Sequence, residues 1–200
     1  MPSILLLYLA EMRFLMNILM LIRYIIPSLM ISMDEKLCKD LERWKEIHRL
    51  TGSDYFAMAQ LLWRNKEFRN LVIYRNRHHA IRRRIVELFY PPMDTLYIDA
   101  FEIGGGLYIQ HGFATMIAAK SIGENFWVNQ QVTIGYNGQG DPPVIGDNVM
   151  ITCGAKVLGQ IHVGNDVTIG ANAVVIRDVP DNCVVGGVPA KILKQNMHVS

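Results

Sequence analysis

Apolar positions follow two different rules along this chain of 200 residues. Between Val144 and Ile176, the residues Ile145, Ile151, Val157, Val163, Ile169 and Val175 stand six apart, and Ile122, Val128 and Ile134 keep the same step upstream. Another apolar or small residue precedes most of the later series by two: Val149, Ala155, Ile161, Val167 and Ala173. Residues two apart on a strand share a face, so each repeat predicts a short strand with two inward side chains. Gly-Asp-Asn, Thr-Cys-Gly, Gly-Asn-Asp and Gly-Ala-Asn separate the strands, and these residue types tolerate the left-handed backbone that a tight corner demands. One such unit cannot bury its inner face alone, whereas stacked coils can. The spacing therefore predicts a parallel β-solenoid.

From Met33 to about Phe89 the rule is helical. Leu37, Leu41, Trp44 and Ile47 follow steps of three and four with charges between them. Thr51 to Asp54 predict a turn and an N-cap for a second helix that carries Phe56, Met58, Leu61, Leu62 and Trp63. Pro91 and Pro92 end this portion, since proline cannot continue a helix and constrains the residue before it. The expected class is α+β: a helical portion over 1–92, then a solenoid over 93–200 that closes with a short C-terminal helix. Residues 1–32 are intensely apolar but carry Glu11, Arg13, Arg23 and Pro27. A spanning helix wants about 20 uninterrupted apolar residues. Two arrangements remain for this segment: a helix packed on a partner subunit, or one lying in the membrane interface.

Composition narrows the picture. A formal net charge of +2 lends no support to general nucleic-acid binding. Cys38, Cys153 and Cys183 are odd in number and widely spaced, which fits neither a disulfide framework nor a zinc pattern and suggests reduced thiols in the cytoplasm. Residues 64–84 hold Arg64, Lys66, Arg69, Arg75, Arg77, Arg82, Arg83 and Arg84 against Glu67 alone. That cluster is either a solvated helix face or a surface that attracts anionic lipid or phosphorylated saccharide.

Function is expected where the repeat fails. The step from Ile134 to Ile145 is eleven residues, and the excess forms a projecting loop, "GYNGQGDPP", Gly135 to Pro143. A second break separates Ile109 from Met116, and His111 stands in it, at a corner. Imidazole, with an ordinary pKa of about 6.5, can accept a hydroxyl proton at neutral pH. His162 lies between inward residues and points out of the coil, whereas His48, His78, His79 and His198 have no motif around them.

The segments "YIQHG" and "IGANAVVIRDVPDNCVVGGVPAKIL" resemble the left-handed β-helix hexapeptide-repeat acyltransferases, in particular their serine acetyltransferase branch, over roughly 97–193. The resemblance implies a left-handed coil, a homotrimer or dimer of trimers, and acetyl-CoA as acyl donor without a metal. It also implies His111 as the general base. Ala155, Ala171, Tyr136, Lys191 and Lys194 match positions that hold the donor. Serine acetyltransferases carry an aspartate where Leu96 stands and a second histidine where Pro142 stands, so the acceptor machinery differs. Asp94, Asp99 and Asp141 are the acidic candidates for acceptor binding. These departures, with the apolar and basic N-terminal portion, favour a hydroxyl of a surface-polysaccharide precursor as acceptor, the enzyme sitting in the cytoplasm or peripheral to the membrane's inner face. L-serine is the alternative, and a non-catalytic solenoid module is the second alternative.

Overall fold

The structure is a computed structural model that describes residues 33–138 and 140–195, together with Met12, Arg13, Leu15 and Ile31. The expectations for the apolar segment 1–32 fall almost wholly outside the described residues. No helix among the described residues is long and apolar enough to cross a membrane.

Four helices precede the solenoid. Helix α1 (Glu35–His48) starts where the Asp34 side chain accepts a hydrogen bond from the Leu37 amide, and ends at Arg49, which turns left-handed at φ 53°. Its apolar stripe buries Leu37, Leu41 and Trp44. Helix α2 (Asp54–Arg64) is capped by Ser53, whose hydroxyl accepts from Phe56 N. Helices α3 (Lys66–Arg75) and α4 (Ala80–Phe89) follow, and the prolines end the run.

Beyond them the chain winds through three parallel faces, matching the six-residue period. One face holds β1 (Leu96–Ile98), β3 (Thr115–Ile117), β6 (Thr133–Gly135), β9 (Lys156–Leu158) and β12 (Val174–Val175). The second holds β4 (Ser121–Ile122), β7 (Val144–Ile145) and β10 (His162–Val163). The third holds β2 (Tyr108–Ile109), β5 (Trp127–Val128), β8 (Met150–Ile151), β11 (Thr168–Ile169) and β13 (Cys183–Gly186), edged by β14 (Lys191–Gln195). Met150 pairs with Thr168 and Val144 with His162, so one coil takes eighteen residues. Ile151, Val157, Val163 and Ile169 are wholly buried, as the inward series requires. At one corner Asn125, Asn148, Asp166 and Asn182 all adopt positive φ near 56°. Their side chains bond in a ladder, Asn125 Nδ2 to Asn148 Oδ1 and Asn148 Nδ2 to Asp166 Oδ1, each at 3.1 Å. Asn and Asp bear this conformation at low cost and satisfy one another across coils.

The expected C-terminal helix is corrected over its described part: Lys191–Gln195 form β14, antiparallel to β13. Strand β13 presents an open edge after the last coil, and the chain reverses to pair with it.

The other end is covered by the helices. Arg75 Nε donates to Asp40 Oδ2 at 2.7 Å, with side chains 3% and 0% exposed. Arg75 also donates to the carbonyls of Ile103 and Gly104, both at 2.6 Å, while Asp40 Oδ1 accepts from Leu107 N at 2.7 Å. Trp44 Nε1 donates to Leu107 O at 2.9 Å. Three members of the basic cluster, Arg69, Arg75 and Arg77, are therefore committed to main-chain carbonyls. Arg69 donates to the carbonyls of Leu62, Trp63 and Pro91, and Arg77 to Phe101 O.

Removing either partner of the buried pair strands the other charge away from water. Asp40→Ala or Arg75→Ala is expected to lower stability by about 3–5 kcal/mol in urea unfolding, whereas removing both together costs less than the two single losses combined.

Candidate functional site

His111 occupies the corner between β2 and β3, where coils stack through main-chain bonds. Gln131 N donates to Phe113 O at 3.0 Å, Gly154 N to Gln130 O at 3.0 Å and Asn172 N to Cys153 O at 2.9 Å. One corner column thus runs from His111 through Gln130, Cys153 and Ala171. His111 itself takes φ 58°, a conformation uncommon for a ring-bearing residue, and its side chain is exposed. Gln130 Oε1 in the same column is buried and has no hydrogen-bond partner among the described residues.

Gly112 shows how tightly the corner is built. A Cβ there would stand 2.8 Å from Ile109 Cγ2, 2.9 Å from Leu96 Cδ2 and 3.3 Å from Glu67 Cγ, so only glycine fits without displacing its neighbours. Helix α3 therefore presses directly on the backbone next to His111. Below it, the Tyr108 ring lies 4.7 Å from Trp44 and 4.6 Å from Trp127, and His48 stacks on Trp44 at 5.4 Å. Arg43 sits 5.7 Å from the Trp127 ring and donates to the Gly106 and Phe126 carbonyls. Burial lowers the His48 pKa below the usual histidine value, partly opposed by the Glu67 charge. Burial raises the Tyr108 hydroxyl pKa, and Glu67 adds to that rise.

The residues expected from sequence divide between corners. Ala171 is exposed in the His111 column, whereas the Ala155 methyl is wholly inside the core. Only the main chain of Ala155 can then face a donor, and its carbonyl already accepts from Thr133 N at 3.0 Å. Thr115 N bonds Thr95 O, which sets exposed Asp94 beneath the same corner. Tyr136, Asp99 and Asp141 lie instead where the first face turns into the second. Tyr136 is exposed there, and Asp141 pairs with Lys120 at 2.7 Å. Pro142 borders a cavity of about 210 Å³ with Lys120, Gln160 and His162. Lys191 edges a cavity of about 120 Å³ beside Arg177 and Asp178, while Lys194 pairs with Val184. Glu67, Tyr108 and His48 escaped the sequence reading. The available signal was Glu67 as a solitary acid among cations.

Six-residue steps wound into eighteen-residue coils are the architecture of a hexapeptide repeat. Residues 142–177 match the bacterial transferase hexapeptide (six repeats) family. A serine acetyltransferase of Staphylococcus epidermidis is 39% identical over 129 residues, 62% of this chain and 60% of that protein. One from Staphylococcus aureus is 44% identical over 99 residues, 48% of this chain and 46% of the relative. The chain thus spans less than two thirds of these relatives' own length. Among solved structures, the serine acetyltransferase of Neisseria gonorrhoeae in complex with serine gives a TM-score of 0.59 at 26% identity, over 78% of this chain and 66% of that one. That of Brucella abortus in complex with coenzyme A gives 0.61 at 24% identity, over 81% and 68%, a likeness of fold. Residues 142–177 thus carry the hexapeptide repeat, and the chain shares the left-handed β-helix fold of these serine acetyltransferases.

These comparisons correct the expected polysaccharide acceptor, because the relatives and structural neighbours named here are serine acetyltransferases. The likeness of fold covers 78% of the chain, and several of the arginines that had suggested an anionic acceptor clamp main-chain carbonyls instead.

Because burial lowers the His48 pKa, the folded state binds fewer protons than the unfolded state below about pH 6.5. This contribution to stability is complete above that pH and is lost as pH falls toward the folded value. His48→Gln should flatten the fall of Tm between pH 7 and pH 5, measured by scanning calorimetry.

Proposed function

We propose that the chain is an acetyl-CoA-dependent O-acetyltransferase whose acceptor is L-serine and whose general base is His111. The observation that carries this reading is the exposed imidazole at the head of a corner column whose last described coil presents a small, exposed residue, Ala171. The relatives' names supply the acceptor. His111 takes the proton from the serine hydroxyl as the oxygen attacks the thioester carbonyl. Main-chain N–H groups at the corner stabilise the tetrahedral oxyanion. Collapse breaks the C–S bond, the imidazolium returns the proton to the departing thiolate, and O-acetyl-L-serine and coenzyme A leave. A thiolate is a competent leaving group, so this chemistry runs on the protein's own groups.

A homotrimer is part of the proposal. Tyr136 and Asp141 stand at a different corner from His111, and exposed Tyr97, Met116 and Phe113 offer apolar surface to a neighbouring copy. In such an assembly the loop of one subunit meets the histidine corner of the next. Three free cysteines support a reducing, cytoplasmic setting. Exposed Ile81 and Leu88 beside Arg82 and Arg84 on α4 support peripheral contact with an anionic membrane.

Thiol release from acetyl-CoA in the presence of L-serine tests the reading. His111→Ala or His111→Asn, folded by circular dichroism, should lose about 10²–10⁴-fold in rate. Near-normal turnover in either variant overturns the role of His111, and a wild-type chain inert toward L-serine overturns the acceptor.

A further inference from the structure

Glu67 has no role in the chemistry above, yet it lies against the corner that carries the base. It belongs to the first turn of α3, where the helix end favours negative charge. Its Cγ comes within 3.3 Å of the point where a side chain on Gly112 would begin, one residue from His111. The residue is half-buried, and no lysine or arginine pairs with it among the described residues. That isolation stands out in so basic a stretch. Arg75 is committed to Asp40 and two carbonyls, Arg77 to Phe101 O, and Arg69 donates to three carbonyls. A half-buried carboxylate with no lysine or arginine on it is free to take a ligand's cation in a charge-assisted hydrogen bond.

We infer that Glu67 receives the cationic nitrogen of the acceptor, so that the corner selects a 2-amino alcohol over a neutral or anionic hydroxyl compound. This assignment rests on the reading of His111 as the base for a serine hydroxyl. Nitrogen and hydroxyl sit on adjacent carbons of serine, and Glu67 packs against Gly112, the residue that follows His111. Glu67 adds to the raised Tyr108 pKa and opposes the lowered His48 pKa, both set chiefly by burial, as a negative charge near both groups would. Leu96, 4% exposed, brings no polar group from the strand side; exposed Asp94 lies beneath the same corner, and Glu67 is the acid that packs against Gly112.

The test compares L-serine with 3-hydroxypropionate, which keeps the hydroxyl and carboxylate but lacks the ammonium. Thiol release is followed for the full chain, Glu67→Gln and Glu67→Asp, with calorimetric titration of both compounds alongside. Glu67→Gln should raise the KM for serine by about tenfold to a hundredfold, the value of a charged hydrogen-bonded contact, and leave 3-hydroxypropionate equal or better. Glu67→Asp, which keeps the charge, should fall between. Wild-type turnover of serine with an unchanged preference in folded Glu67→Gln overturns the assignment and leaves the proposed activity standing. Serine binding that depends on Glu67 without any turnover overturns acetyl transfer and leaves ammonium recognition standing. A wild-type chain that neither binds nor acetylates serine overturns both.

Discussion

One buried ion pair governs how the two halves of the molecule meet. Asp40 and Arg75 come from different helices, lose contact with water and hold each other at 2.7 Å. Both also hold main-chain groups of the solenoid: Leu107 N by Asp40, the Ile103 and Gly104 carbonyls by Arg75. Those groups belong to a coil with no complete coil before it, so the helices supply the hydrogen bonds that a preceding coil would have made. Burial raises the Asp40 pKa above the usual carboxylate value, and Arg75 with the Leu107 and Gly106 amides only holds that rise back. With a partner on each oxygen, the charged pair is the form that satisfies the geometry. Such a pair adds little net stability over an apolar one, but it fixes orientation. Trp44 then meets Tyr108, and Glu67 meets Gly112, in the one arrangement that builds the histidine corner.

The solenoid was legible because its physics is local and repeated. Ile145, Ile151 and Val157 pair with Val163, Ile169 and Val175, each eighteen residues on, so a spacing rule captures both strand and stacking there. Helix limits were readable for a similar reason, since Asp34 and Ser53 cap within three residues of themselves. The role of the arginines was not readable. Arg75 and Asp40 are thirty-five residues apart, and nothing in a run of basic residues says which will turn inward to a carbonyl. The final strand was missed because β14 is defined by an edge left open elsewhere, not by its own pattern. His111 was legible as a break in the period, whereas Glu67 reaches the same corner only through helix packing.

Corners, more than faces, carry the individuality of this protein. The asparagine ladder shows the ordinary solution, a side chain that bears a left-handed backbone and bonds to its counterpart one coil on. His111 uses the same backbone region without joining such a ladder, which leaves its imidazole exposed. A residue whose side chain is released from stacking is available for chemistry. The strands on either side, with inward Ile109 and Ile117 almost wholly buried, hold it still.

The register of eighteen also sets how this architecture can change over time. Removing six residues would leave each strand still facing inward but carry every later corner one third of the way around the prism. His111's column would then continue along a different edge. Gain or loss of a whole coil keeps every edge aligned and alters only the height of the column. Small departures from eighteen are absorbed at corners, as between β2 and β3, and the projecting loop after Gly135 is absorbed likewise, leaving and rejoining the wall with β7 still paired to β4 and β10. New specificity can enter this fold as bulges from a wall whose own dimensions are fixed.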